Sequence, residues 1–271
     1  MHKQEYLMES DKEAVRIDSK TDLKAVARQA LWAGIKPGMR VADIGCSSGK
    51  ATFCLDKLVQ PGGEVVGLDV SAGRLEYAGK KYGGRSLKFI CRNIYEPLDD
   101  LGLFDFIWVR FFLEYHRAES FSIIKSLSAR LNPGGIICLI DLDNNCMNHF
   151  GCSEKLDRTL SQIIKKMEDE FDFDPYAGRK LYSFLYDLGY EEINVRLEPH
   201  HLIFGSLSSG EAFNWMMKIE VAVQKSGYDF AEYGGGYKEF LREVKNFFFS
   251  PGRFIYTPVI CCRGRKPLGP E

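Results

Sequence analysis

VADIGCSSG, residues 41–49, is the stretch that decides the fold. Its first half belongs to a short apolar run, residues 40–44, that predicts a buried strand, and residues 52–58 predict the helix that follows. The small residues between them predict a loop whose backbone amides can approach a ligand closely, because no bulky side chain intervenes. Asp43 stands just before this loop. It would repel a phosphate, and it suits a cationic ligand such as an ammonium or sulfonium group.

Strand and helix patterns alternate along the first half of the chain. Helices are predicted over 22–32, 52–58, 72–82 and 118–131, and strands over 40–44, 65–69, 87–91, 104–109 and 136–142. The strands are continuously apolar, which indicates that helices cover both faces of the sheet. Right-handed crossovers then build a doubly wound sheet, which binds ligands outside the carboxyl ends of its strands.

The second half is mainly helical. Helices are predicted over 153–171, 181–188, 211–225 and 237–248, and strands over 193–197, 202–204 and 253–262. The predicted fold is therefore α/β and Rossmann-like, with a mostly parallel seven-stranded sheet, helices on both faces and a helical lid inserted before the last strand. The expected division is a cofactor-covering segment at 1–21, a core at 22–206 that includes the helix near 153–171, a lid at 207–250, and a final strand and tail at 251–271.

Composition excludes several classes of protein. The 271 residues carry 36 basic and 37 acidic side chains, a balance that argues against a nucleic-acid partner. No apolar run reaches about 18 residues, so no membrane span is predicted. None of the eight cysteines forms a CxxC pair or a zinc-site spacing with histidine, so we predict free thiols, no metal and a cytoplasmic location.

A second acidic residue follows the second predicted strand. Asp69 lies after Gly45 by roughly the 20 residues expected of a carboxylate that accepts hydrogen bonds from a ribose diol. With Asp43 and the small-residue loop, it predicts a site for a cationic nucleoside.

These motifs resemble those of the class I S-adenosylmethionine (SAM)-dependent methyltransferases, nearest the ubiquinone/menaquinone-biosynthesis-like small-molecule group. VADIGCSSG is similar to the family's first motif and VVGLDVS (65–71) to its ribose-binding motif. FDFIWVRFFLEY (104–115) and LNPGGIICLID (131–141) are similar to the fourth- and fifth-strand motifs. The resemblance implies SAM as cofactor and a cofactor-binding role for Asp43, Gly45, Cys46, Ser47, Gly49, Asp69, Val70, Asn93, Ile94, Arg110 and Phe111.

Two positions depart from the family pattern. Ser47 stands where the family has a glycine, so the loop must either tolerate a Cβ or use the hydroxyl. Asn93 stands where the family has an acid, and an amide can still donate to and accept from the adenine edge.

The resemblance implies an in-line displacement. An O, N or C atom of a small-molecule acceptor attacks the sulfonium methyl group, and S-adenosylhomocysteine leaves. Alignment of the reacting atoms in a dry pocket supplies much of the catalysis, and a general base is needed only when the acceptor loses its proton early.

His116, Tyr115 and Tyr6 are the candidate catalytic residues. The first two follow the fourth strand on the ligand side of the sheet, and histidine has a suitable pKa for a base. Tyr6 either folds over the cofactor or belongs to a frayed terminus. The adjacent pair His200-His201 is not expected to bind a metal, because neighbouring residues on a strand point to opposite faces.

Two other functions stay open at this point. A nicotinamide-dependent oxidoreductase would explain Asp69 but not Asp43, and the chain lacks a clean GxGxxG. A SAM-binding sensor or partner module without turnover would share every cofactor motif. The expected partner is a small-molecule acceptor, and a homodimer is neither predicted nor excluded.

Overall fold

The computed structural model describes residues 13–144, 147–207 and 209–269. Tyr6 and most of the predicted covering segment lie outside these ranges. The helices are α1 Glu13–Lys20, α2 Leu23–Ala33, α3 Lys50–Val59, α4 Ala72–Tyr82, α5 Ser120–Ser128, α6 Glu154–Glu170, α7 Ala177–Asp187, α8 Ser209–Ser226 and α9 Gly236–Phe249. The strands are β1 Arg40–Ile44, β2 Glu64–Asp69, β3 Leu87–Cys91, β4 Phe104–Arg110, β5 Leu131–Leu142, β6 Asn148–Phe150, β7 Glu191–Ile203 and β8 Phe254–Arg265.

One mixed sheet organises the molecule. Its first five strands run parallel in the order β3-β2-β1-β4-β5, and β8 pairs antiparallel with β5. The chain leaves β1 toward β2 on one side and later returns on the other side to form β4. This reversal puts the predicted ligand site at the carboxyl ends of β1 and β4. The Rossmann-like, mostly parallel sheet is confirmed.

The far edge of the sheet differs in detail from the prediction. Ile255 of β8 lies opposite both His149 of β6 and Ile203 of β7. β7 pairs with one side of β8 along nearly its whole length. β5 and β6 both pair with the other side, β5 with residues 259–265 of β8 and β6 with residues 254–256. The described sheet thus has eight strands rather than seven; β6 was missed because three residues are too short to show a periodic pattern. The two strands predicted over 193–197 and 202–204 are a single strand with an irregularity between Pro199 and His201.

Helix ends follow ordinary capping chemistry. Asp22, Ser71 and Ser153 accept hydrogen bonds from the first turns of α2, α4 and α6. Gly34 ends α2 in the left-handed conformation. Two apolar cores, one on each face of the sheet, hold these helices against the strands.

A third core lies under the inserted helices. Trp215 of α8 and Phe240 of α9 pack with Leu156 of α6 and with Ile203 and Ile255, where β7 and β8 extend past the sheet. The aromatic side chains at 215 and 240 are therefore core residues of the lid, and α6 packs with the lid helices. Within the described ranges, no helix is both long and apolar enough to cross a membrane.

Candidate cofactor site

The loop after β1 is shaped by two glycines in the left-handed region. Gly45 has φ +71° and Gly49 has φ +77°. A Cβ on Gly45 would lie 2.5 Å from the ring of Phe112, and one on Gly49 would lie 2.7 Å from Ala78 Cβ. Both positions therefore require glycine for backbone conformation and for space.

The same loop is fastened to the neighbouring strand. The backbone N–H groups of Gly45 and Cys46 both donate to the carbonyl oxygen of Leu68, at 2.8 and 2.9 Å. This anchoring brings the loop beside the carboxyl end of β2, where Asp69 lies.

Ser47 takes the left-handed conformation although it carries a Cβ, with φ 49°. Its backbone N–H donates to Asp69 Oδ2 at 2.9 Å. Its Oγ is buried and has no hydrogen-bond partner among the described residues. The loop thus tolerates the departure from glycine, and the hydroxyl keeps its hydrogen-bonding capacity for a ligand.

The Asp69 carboxylate accepts hydrogen bonds from three donors. Oδ2 accepts from Ser47, and Oδ1 accepts from the Ser71 backbone and from Arg74 Nη2, both at 2.9 Å. The side chains of Asp69 and Arg74 are only 6% and 7% exposed, so this is a buried ion pair. A carboxylate offers about four acceptor positions, so three donors do not exhaust it. Sequence reasoning missed Arg74, because nothing in its spacing distinguishes it from a surface residue at the start of a helix.

Asp43 is buried at the end of β1, and its Oδ2 accepts a hydrogen bond from Thr52 Oγ1 at 2.7 Å. Burial raises its pKa to about 7, against the opposing effects of the Thr52 hydrogen bond and the Arg110 charge. A nearby cation would favour the ionised form, as the sequence argument for Asp43 requires.

The raised pKa of Asp43 predicts a pH-dependent stability. The carboxyl titrates at 3.8 in the unfolded chain and at about 7 in the fold. Between these values the folded chain binds more protons, so its stability falls as pH rises. We expect urea unfolding of Asp43→Asn to show a smaller loss of stability across this interval than wild type. Equal losses in the two proteins would contradict the assignment, since all other titrating groups are common to both.

Arg110 is the last residue of β4, one residue beyond the predicted strand end, and Phe111 follows it. Arg110 Nε donates to Gln29 Oε1 at 3.2 Å, and its guanidinium lies 4.0 Å from the Phe111 ring centroid. Burial lowers the pKa of Arg110 to about 10, so it stays charged at neutral pH. Phe111 has φ 54°, and its ring packs edge-on against His200 at 4.8 Å.

The residues predicted beside the adenine lie at the ends of β2 and β3. Val70 is 58% exposed, Asn93 is exposed, and Ile94 packs partly against the core. Asn93 Oδ1 accepts from the Tyr95 backbone, which leaves its amide N–H₂ for another partner.

The His116 ring packs against two aromatic side chains, Tyr95 and Phe112. Its Nδ1 is 2.8 Å from Tyr95 Oη, and its ring centroid is 4.3 Å from that of Phe112, the ring that lies on Gly45. Burial lowers its pKa to about 4, so the imidazole is neutral at pH 7. Tyr115 instead packs against Phe173, at 6.0 Å between ring centroids.

Acidic residues support the turn after β4. Asp141 is fully buried, and its Oδ2 accepts from the backbone N–H groups of Leu113 and Glu114 at 2.9 and 3.2 Å. Asp143, the other acid after β5, pairs with Arg179 at 2.6 Å. Both are thereby engaged in holding the backbone and α7.

Lys20 at the end of α1 is a polar group that sequence reasoning missed. Burial lowers its pKa to about 7, and the charges of Lys218 and Arg16 lower it further, whereas Glu13 and Glu114 act in the opposite direction. Its amine is thus available in neutral form near pH 7.

Three side chains that could together hold one metal ion lie outside the loop at residues 45–49. His149, Cys152 and Asp157 bring their ligand atoms within 4.8 Å of one another. His149 presents Nδ1 to Cys152 Sγ at 3.3 Å and Nε2 to Asp157 Oδ1 at 3.7 Å. Since one ion binds one ring nitrogen, and the two nitrogens of His149 face different side chains, this orientation does not suit a metal site. The spacing gave no signal, because it matches no familiar zinc motif.

Fold and site together place a glycine-containing loop beside the buried Asp69 carboxylate in an α/β protein. Residues 42–139 match the family model described as a methyltransferase domain. The demethylmenaquinone methyltransferase of Staphylococcus aureus is 31% identical over 109 residues, which cover 39% of this chain and 44% of that protein. Residues 42–139 are therefore similar to a methyltransferase domain, and the chain aligns with less than half the length of the curated relatives it matches.

Solved structures share the fold over nearly the whole chain. A putative methyltransferase from Bacillus halodurans superposes with TM-score 0.57 and 15% identity, covering 90% of this chain and 99% of that one. Phosphoethanolamine N-methyltransferase 2 of Haemonchus contortus, in complex with SAM, superposes with TM-score 0.55 and 16% identity, covering 95% and 57%.

Proposed function

We propose that this chain binds SAM between the loop at residues 45–49 and Asp69, and transfers its methyl group to a small molecule. The supporting observation is the convergence of the two motifs, since Ser47 donates its backbone N–H to the Asp69 carboxylate. That bond holds the loop beside an acid able to hold a ribose. The methyl group passes to an O, N or C atom by in-line displacement, and S-adenosylhomocysteine is the product.

Each residue of the site has a role that follows from its chemistry. Asp43 lies behind the loop, where its ionised form is attracted to the positive charge of SAM. Ser47 Oγ, buried and without a partner among the described side chains, is placed to bond the methionine end. Asp69 accepts from the ribose hydroxyls, and Val70 and Ile94 flank the adenine.

The acceptor belongs to the small-molecule class. The two named relatives, a demethylmenaquinone and a phosphoethanolamine methyltransferase, carry such acceptors in their names. The balanced charge of the chain fits this class better than a nucleic acid. The seven described cysteines are free thiols, which fits the proposed cytoplasmic location.

Two groups are candidates for a general base. His116 is neutral at pH 7, and a hydrogen bond between its Nδ1 and Tyr95 Oη orients its ring. Lys20 is the better matched in basicity, because its pKa of about 7 lies near working pH. Tyr115 and Tyr6 remain proposed contacts for the acceptor.

We expect His116→Ala to lower turnover far more than SAM affinity, because the ring contacts Phe112 rather than lying in the loop itself. Tyr95→Phe removes the hydrogen bond that orients the ring and keeps the imidazole, so it should lower turnover less. Both are measured as kcat and as SAM Kd. A normal rate in His116→Ala would assign the base elsewhere, and Lys20→Gln then tests the amine.

Isothermal titration with SAM, followed by a screen of small acceptors with methyl-labelled SAM, tests the proposal as a whole. Saturable SAM binding and label transfer to one acceptor are expected. Binding of NADH in place of SAM would favour an oxidoreductase. Tight SAM binding with no labelled product from any acceptor would favour a sensor or partner module.

A further inference from the structure

The three strands at the far edge of the sheet extend beyond the end of β5. Leu142 is the last residue of β5, whereas β7 and β8 continue together to the pair Ile203 and Ile255. One face of this extension is covered, because His149, Ile203 and Ile255 share it and lie against the lid core.

The opposite face carries exposed apolar side chains. Directly opposed residues share a face, so the register groups Leu197 with Ile260, Leu202 with Tyr256, and Phe150 with Phe254. Val195 lies on the same face, two residues before Leu197, and Phe204 directly follows β7. We call this set the hairpin face: Phe150, Val195, Leu197, Leu202, Phe204, Phe254 and Tyr256.

Its members are unusually accessible for large apolar side chains. Phe150 is 77% exposed, Leu197 69%, Phe204 64% and Leu202 51%, and the other three are 42–47% exposed. With side chains of this size, the accessible area is roughly 700 Å², more than the few hundred Å² that a monomer usually leaves in one apolar patch.

The charged side chains near the middle of β7 lie on the other face. Arg196 and Glu198, whose partners in the register are Cys261 and Val259, are on that face, and Glu198 forms ion pairs with both Arg196 and Arg28. Natural edge strands usually carry charges that block association, and from Val195 to Phe204 the hairpin face has none.

We propose that two copies of this chain pack their hairpin faces together as a homodimer. The available area is close to the roughly 800 Å² that each partner contributes to a stable interface. Identical apolar faces are self-complementary about a two-fold axis. The net charge of −1 opposes such pairing little and supplies no attraction to an anionic membrane.

The test measures mass in solution by size-exclusion chromatography with light scattering over a dilution series. Wild type is expected at twice the chain mass of 30.8 kDa. Leu197→Lys/Leu202→Lys should elute at the single-chain mass with an unchanged circular dichroism spectrum and SAM Kd. The matched control, Leu31→Lys/Leu268→Lys, changes leucines that are 58% and 77% exposed elsewhere and should stay dimeric.

A monomeric wild type at every concentration would overturn the proposal. So would a hairpin-face variant that remains dimeric, or a control that dissociates equally. Flotation of a monomeric wild type with phosphatidylglycerol vesicles, lost in the same variant, would assign the face to a lipid surface instead. None of these results depends on methyl transfer, so the proposed function stands or falls separately.

Discussion

Gly45→Val is expected to abolish SAM binding in isothermal titration. The residue has φ +71°, where a β-branched side chain costs about 1–3 kcal/mol. Its Cβ would also lie 2.5 Å from the Phe112 ring, so either the loop or the ring must move. Either movement changes the surface of the loop, where we place the methionine end of SAM.

Gly189→Val is the matched control. Gly189 has φ +73°, and a Cβ there would meet nothing within 4 Å. We expect both variants to unfold at lower temperature than wild type because of backbone strain, and only Gly45→Val to lose SAM affinity. Retained affinity in Gly45→Val would mean that the ligand does not contact this loop.

Asp69→Ala is expected to have two separable effects. Removal of a group that holds the ribose should weaken SAM binding by about 1–3 kcal/mol, a roughly 5- to 150-fold rise in Kd. The variant also breaks the buried ion pair between Asp69 and Arg74, which should lower the free energy of unfolding by about 3–5 kcal/mol. Titration with SAM and urea unfolding measure the two effects.

Asp69→Ala/Arg74→Met separates the two contributions. The second substitution removes the buried Arg74 charge as well, so we expect it to restore part of the stability and none of the SAM affinity. An unchanged Kd in either variant would refute the ribose role of Asp69. Equal stability of the single and double variants would show that the ion pair contributes little to the fold.

The sequence predicted the elements that local chemistry determines. β1, β3 and α4 were predicted with the bounds that the structure has, because continuous apolar runs and the Ser71 cap mark them. The order of the cofactor motifs likewise located the loop and Asp69 at adjacent strand ends. These features depend on neighbours along the chain.

Contacts made by distant residues could not be predicted in this way. Nothing local indicates that Arg74 pairs with Asp69, that the Phe112 ring lies on Gly45, or that the surroundings of Lys20 lower its pKa. The hairpin face was missed for a related reason. A sequence pattern treats apolar residues on a strand as buried. Only the strand register, together with the positions of α7 and the lid helices, shows that those of the hairpin face are exposed.

A crystal structure of the chain with S-adenosylhomocysteine tests the central claim most directly. We predict the ribose hydroxyls on Asp69, the amino-acid moiety against the loop at residues 45–49, and the sulfur atom near the turn that follows β4. A nucleoside bound elsewhere, with Phe112 and Arg74 still packed on Gly45 and Asp69, or a pyrophosphate against that loop, would contradict it.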